Sequence, residues 1–257
     1  MPQTTDRRIA WVTGASSGIG RALALRLAAE GWRVAISARS ADELVAVANS
    51  AAPLAGDLYP YPVDVTDRCA VAETVARIEQ AIGPVDLAVL NAGTHRPVSA
   101  ATLDSDDFRA LIDLNFLGTV HALEALLPGM RARRSGRIAI VASVAGYCGL
   151  PTAAAYGASK AALIAMAESL KPELDTDGVV LQIVNPGFVR TPLTDRNPFP
   201  MPFLMEVDDA AEAFRRGLRS DRFEIVFPRR LAWILKALRL FPYPLFFRIT
   251  RRLVPDR

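Results

Sequence analysis

The chain has 257 residues, of which 51% are hydrophobic and 22% charged, with 16 glycines and 18 prolines; the length fits one large α/β domain or two small ones, and the composition excludes collagen-like, low-complexity and disordered classes. A net charge of +3 is too small to point to nucleic acid, but it is uneven, because residues 219–257 hold 10 basic and 3 acidic side chains. Two cysteines, Cys69 and Cys148, and two scattered histidines argue against a disulfide framework or a zinc site and for reduced thiols in a cytosolic compartment.

The N-terminal MPQTTDRRIAWVTGA shows no apolar secretion signal, and a first strand is expected at 9–13, IAWVT. A turn, TGASSGIG, leads into a helix, RALALRLAAEG at 21–31, whose leucines and alanines repeat at i, i+4 before a terminal glycine. Further strands follow at 33–37 (RVAIS), 59–63 (YPYPV), 86–90 (DLAVL), 137–143 (RIAIVAS), 179–185 (VVLQIVN) and 224–227 (EIVF), separated by stretches of helical spacing. Alternating strands and helices imply parallel pairing with both faces covered, so the expected fold is α/β, a Rossmann-type doubly wound sheet of about seven strands in one domain. The uncharged run 138–159 contains Ser143, Gly146, Gly149, Pro151, Gly157 and Ser159, which divide it into strand, loop and helix start rather than a membrane span.

Chemistry gathers at the strand ends. Gly14, Ser16, Ser17, Gly18, Ile19 and Gly20 set glycine-rich backbone and a helix N-terminus after the first strand, where free N–H groups and the helix dipole favour a phosphate; an ordinary tight turn is the competing reading. After the second strand an acid would bind a ribose 2′-hydroxyl, whereas an arginine suits a 2′-phosphate; here Ala38 is followed by Arg39. Tyr156 and Lys160 are four apart on one helix face. Making a phenol work near neutral pH needs about 3–4 kcal/mol of phenolate stabilisation, which a nearby ammonium can supply. With five tyrosines and three lysines in the chain, such a pair arises by chance only about 0.06 times.

In order and spacing, TGASSGIG, NAG, Ser143, Tyr156-Gly-Ala-Ser-Lys160 and Pro186-Gly187 resemble the short-chain dehydrogenase/reductase family over residues 8 to about 228. The resemblance implies Tyr156 as catalytic acid/base, Lys160 as its modulator and a ligand of the nicotinamide ribose, Ser143 as the donor that positions the substrate oxygen, and Asn115 as the holder of a proton-relay water, against the plainer reading of a buried helix asparagine. It also implies adenine contacts from Asp64 and Val65, a cleft lined by Asn91, Ala92 and Gly93, and a carboxamide site at Pro186, Gly187, Val189 and Thr191. Arg39 matches the pattern that prefers NADP(H). The implied activity is NADP(H)-dependent interconversion of a carbonyl and a secondary alcohol by a cytoplasmic homo-dimer or homo-tetramer. Its long helices near 105–134 and 152–175 resemble the family's pairing helices. A non-catalytic NADP-binding regulator on the same fold is the rival reading.

Other features have less fixed meanings. The uncharged NPFPMPFLM at 197–205 is expected to cover an apolar substrate or to pack on the core. His95 and Arg96 fit a substrate contact or a rim position; Tyr147 and Cys148 fit a pocket wall, with Cys148 structural. His121 fits a packed or interfacial histidine. The tail, 229–257, is read as two basic amphipathic helices. The first would gather Leu231, Ile234, Leu235 and Leu238 on one face, opposite Arg229, Lys236 and Arg239, and the second Leu245, Phe246, Ile249 and Leu253, opposite Arg248, Arg251 and Arg252. Two uses stand open for it: packing on the body or a partner subunit, or lying on an anionic membrane surface through residues 229–253.

Overall fold

In the computed structural model, which describes residues 8–194 and 201–254, seven strands alternate with helices. They are β1 (Ile9–Thr13), β2 (Arg33–Ser37), β3 (Asp57–Pro60), β4 (Leu87–Leu90), β5 (Arg137–Val141), β6 (Val180–Pro186) and β7 (Glu224–Phe227). All pair in parallel in the order β3-β2-β1-β4-β5-β6-β7. Chain direction through the sheet reverses between β1 and β4, which opens a crevice at their carboxyl ends, where ligands of doubly wound sheets bind.

Neighbouring residues on a strand point to opposite faces, so a sheet covered on both sides must be apolar throughout. β1 obeys this rule: Trp11 enters one core and Ala10 and Val12 the other, all fully buried. On the Trp11 side lie α3 (Arg68–Ile82), α5 (Gly118–Ala132) and α6 (Ala154–Thr176); on the other lie α1 (Gly18–Ala29), α2 (Ala41–Asn49) and α7 (Val207–Leu218). α4 (Ser105–Ile112) runs through a π-helical turn, Asp113–Leu117, into α5. That continuous run, Ser105–Ala132, is long and apolar enough to cross a membrane by composition. It instead buries Leu111, Leu123, Leu126 and Met130 in the protein core. As expected, 138–159 divides into β5, a 3-10 turn at Val144–Gly146 and the start of α6.

Two expectations need correction. β3 ends at Pro60, short of the expected 63, because Pro60 and Pro62 have no N–H for the ladder; beyond it only Tyr61 N and Val63 N reach across, to the Ile36 and Ala38 carbonyls. The tail forms α8 (Arg229–Arg239) and α9 (Tyr243–Thr250). α8 turns Leu231, Ala232, Leu235 and Leu238 inward, while Ile234, expected among them, is 53% exposed. α8 therefore carries a second apolar stripe, and in the second expected tail helix Leu245 and Leu253, expected to share a face with buried Phe246, are 43% and 54% exposed.

Candidate active site

The glycine turn is shaped by contacts to its neighbour. Gly14 adopts φ +63°, and a Cβ there would come within 2.9 Å of the Ala92 backbone, so only glycine lets the turn and the 91–93 segment meet. Asn91 closes this contact from the other side: its amide donates to the Thr13 and Gly14 carbonyls at 3.0 and 3.1 Å, and Thr13 Oγ1 accepts from Asn91 N and Ala92 N. Asn91 thus acts first as a brace for the glycine turn.

Ser40 and Asp67 cap α2 and α3 with their side chains, but Ser17 makes no side-chain cap on α1. The first N–H groups of α1 are therefore left without a side-chain cap at the carboxyl end of β1, an arrangement that suits a phosphate. Gly18 faces Thr191 across it, a built Cβ falling 3.2 Å from the Thr191 methyl. Exposed Arg39 stands beside Asp64, whose carboxylate accepts from Thr66 N and Oγ1 and is held below its usual range, chiefly by the Thr66 backbone bond and in smaller part by the Arg39 charge. Val65 is buried and its carbonyl bonds to His121 Nδ1 at 3.0 Å, so His121 is the packed histidine of the sequence reading. The donors, the cradle and the free guanidinium fit a nicotinamide dinucleotide carrying phosphates.

At the far end of the crevice, Ser143 leaves β5 and Tyr156 and Lys160 project from α6. Ser143 Oγ accepts from Ala145 N at 3.1 Å and donates to the Pro186 carbonyl at 3.4 Å, and it is near enough to the Tyr156 phenol to act on its titration. Burial pushes the phenol above its ordinary value, and the Ser143 hydroxyl pulls it partly back. This corrects the expectation that Lys160 lowers it: the ammonium donates to the Val141 carbonyl at 2.8 Å and lies 5.8 Å from the Tyr156 ring centroid, too committed to dominate. Burial brings Lys160 itself down to about 8.

Asn115 sits fully buried in the π-helical turn. Its Oδ1 accepts from Thr94 N at 2.8 Å, and Nδ2 donates to Thr94 O and Ser159 Oγ at 3.0 Å each. Both side-chain atoms are therefore used to tie the 91–94 segment to α6, and its main-chain carbonyl accepts from Thr119 Oγ1 at 3.2 Å.

Pro186 and Gly187 end β6, and Val189 is buried, pairing with Met205 through a single bridge. Of the covering segment expected at 197–205, residues 197–200 lie outside the described residues. In the remainder Phe203 is exposed and Met201, Leu204 and Met205 half-buried. His95 meets Tyr156 edge-on at 4.7 Å between ring centroids, with Nδ1 buried and without a hydrogen-bond partner among the described residues. Arg96 is at the rim, paired with Asp107.

One cluster escapes sequence reasoning. Tyr147 donates to Glu224 Oε1, Asn185 Nδ2 reaches the same oxygen at 3.0 Å, and Lys236 of α8 bonds to Oε2. The four residues come from three distant segments and a loop, so no local spacing marks them. Tyr147 therefore ties the loop after Ser143 to the tail.

A Rossmann-type sheet whose crevice joins a phosphate cradle to a Ser-Tyr-Lys group defines the class of nicotinamide-dependent oxidoreductases. The family model for short chain dehydrogenases matches residues 8–198. An uncharacterised oxidoreductase of Myxococcus xanthus is 41% identical over 96% of this chain and 97% of its own length. A 3-oxoacyl-[acyl-carrier-protein] reductase of Thermotoga maritima is 35% identical over 75% of this chain and 78% of its own length. The solved structure of a short-chain dehydrogenase from Sphingobium yanoikuyae in complex with NADPH superposes with a TM-score of 0.81 at 26% identity, covering 90% of this chain and 92% of that one. The chain belongs to the short-chain dehydrogenase family and is one of its oxidoreductases.

Proposed function

We propose that this chain interconverts a carbonyl and a secondary alcohol on an apolar substrate with NADP(H), working within one domain whose core, residues 8–228, carries the chemistry. The observation that carries the reading is the meeting of Ser143, Tyr156 and Lys160 at one end of a crevice whose other end is an uncapped helix N-terminus with Arg39 beside it. The backbone and hydroxyls of Gly14, Ser16, Ser17, Gly18, Ile19 and Gly20 would hold the pyrophosphate. Asp64 and Val65 would meet the adenine, and Arg39 the 2′-phosphate. Asn91, Ala92 and Gly93 would line the middle of the cleft. Lys160 would hold the nicotinamide ribose, and Pro186, Gly187, Val189 and Thr191 the carboxamide.

Bound there, the reduced dinucleotide supplies the hydride that reaches the carbonyl carbon. Ser143 Oγ and Tyr156 Oη hold the carbonyl oxygen, and the proton moves from Tyr156 Oη to that oxygen as the alcohol forms. A phenol held above its ordinary value carries its proton at neutral pH and is available as the proton source. Asn115 keeps Thr94 and Ser159 in register with Tyr156, and its main-chain carbonyl, which already accepts from Thr119 Oγ1, would use its second lone pair to hold a relay water.

Further observations bear on the cofactor, the substrate and the assembly. The Sphingobium relative is an NADPH complex, and no acid competes with Arg39 at position 38. Half-buried Met201 and Leu204 in the expected covering segment favour an apolar substrate, while Met205 packs on the core. The homo-oligomer rests on the resemblance of the α4–α5 run and α6 to the family's pairing helices; Phe116, Leu127 and Met166 on them pack against the core. Cys69 and Cys148 are both free, in keeping with a reducing cytoplasm.

The test is NADPH absorbance with 3-oxoacyl thioesters, keto esters and polycyclic ketones against short hydrophilic ketones. The apolar classes should give the higher kcat/KM, and NADPH should bind roughly five- to 150-fold tighter than NADH, a preference that Arg39→Ala removes. Equal titrations for the two cofactors, or better turnover of the short hydrophilic ketones, would contradict the reading.

A further inference from the structure

The inner face of α8, with Phe246 of α9, packs on Val144 and Cys148 of the loop that follows Ser143. This accounts for one apolar side only. On the opposite side Arg230, Trp233, Ile234 and Ala237, then Leu240 and Phe241 just past the helix, are all exposed. Their spacings of three, four and seven set them along one stripe. Trp233 is 71% and Leu240 84% exposed, and α9 adds exposed Tyr243, stacked on exposed Phe247 with ring centroids 5.6 Å apart. Folding the chain uses one of these two faces and leaves the other in water, where so large an apolar patch marks an interaction surface.

Charge decides what covers it. Residues 225–255 hold seven basic side chains and no acidic one. Lys236 is taken by Glu224. Arg229, Arg230, Arg239, Arg248, Arg251 and Arg252 are exposed, and none makes an ion pair among the described residues. A two-fold contact through this face would set the arginines of one copy against those of another with no carboxylate between them. Phosphate headgroups carry the opposite charge. A groove of about 470 Å³ lined by Pro244, Phe247, Arg248 and Arg251 offers two guanidinium forks beside an aromatic ring, a donor set suited to phosphate. α8 has 11 residues and α9 has 8, or roughly 16 and 12 Å of helix, far short of the ~30 Å needed to span.

We propose that α8 and α9 dock the protein on an anionic lipid surface. The outer stripe of α8 lies in the plane of the interface. Trp233 and Tyr243 sit at headgroup depth, Leu240 and Phe241 below them, and the arginines on the phosphates. Leu231, on the inner side of α8, lies so near Gly187 that a Cβ there would meet it at 2.9 Å. The lipid would then be about one helix diameter, ~10 Å, from the nicotinamide end of the cleft. That last consequence rests on the proposed reading of the site; the docking itself does not.

Sedimentation of the full chain with vesicles tests the proposal. The protein should pellet at low salt with phosphatidylcholine containing about a third phosphatidylglycerol, stay in solution with phosphatidylcholine alone, and release as salt rises. Replacing Arg248, Arg251 and Arg252 together by Gln should weaken partitioning roughly a hundredfold, at about fivefold per arginine. Trp233→Ser with Leu240→Ser should weaken it at least about tenfold. Both variants should keep the turnover of a water-soluble ketone, which reports that they fold. A supernatant protein at low salt, equal pelleting with neutral vesicles, or unchanged binding of the arginine variant overturns the proposal. So does a size-exclusion shift from oligomer to monomer in the Trp233 and Leu240 variant, which would assign the face to a second copy of the chain.

Discussion

Lys160 is 4% exposed and donates one hydrogen bond, to the Val141 carbonyl, so the fold buries an ammonium without a carboxylate. Its value of about 8 lies below the ordinary lysine range, so at neutral pH both folded and unfolded chains carry the proton and the folded chain bears the full cost of burial. Between about pH 8 and the ordinary range only the unfolded chain stays protonated, and the cost is relieved as pH rises. Lys160→Met should therefore stabilise the free protein at pH 7 by about 1–3 kcal/mol, after loss of the Val141 bond is counted, and abolish turnover. Urea unfolding at pH 7 and near pH 10.5 checks this: the variant's advantage should shrink at the higher pH. A variant less stable than wild type at pH 7 would mean that the ammonium is stabilising where it sits. Function and stability pull apart at this residue.

At the scale of elements, the Tyr147, Asn185, Glu224 and Lys236 cluster fastens α8 to β6, β7 and the loop after Ser143. The Glu224 carboxylate is held below its usual range because bonds from Lys236 and Tyr147 outweigh its burial, while Tyr147 is pushed far up by burial and by that carboxylate. A depressed acid stabilises the fold above the ordinary carboxylate range and loses that contribution as pH falls through and below it. Glu224→Gln should cost about 1 kcal/mol at pH 7, and the gap to wild type in urea unfolding should close below about pH 4. A gap that widens in acid would contradict this. The elements themselves were largely legible. β1, β2 and β7 begin and end where their β-branched runs do, whereas β3 overshot because hydropathy does not register the missing N–H of Pro60 and Pro62. In the tail, helix periodicity announced an apolar face but not which of two faces would pack on Val144 and Cys148, a contact between distant segments.

For the whole molecule, the sheet order brings together residues far apart in sequence at one crevice, and this is why the site was readable only in part. Gly14, Ser143, Tyr156 and Lys160 were visible through short, chemically demanding spacings at strand ends. The Asn115 clasp on Thr94 and Ser159 and the edge-on contact of His95 with Tyr156 depend on how α6 lies against the 91–94 segment, which no local pattern encodes. The same holds for the phenol: the neighbouring lysine suggested a lowered value, and burial in the assembled site reverses it. The central claim is that Tyr156 moves the proton in a site whose dinucleotide cradle is built by other residues. The most direct measurement is an NADPH titration and a steady-state assay of Tyr156→Phe beside wild type. The account predicts NADPH affinity within about twofold of wild type and turnover below a tenth, since only the hydroxyl is removed. Turnover above a tenth of wild type would contradict it.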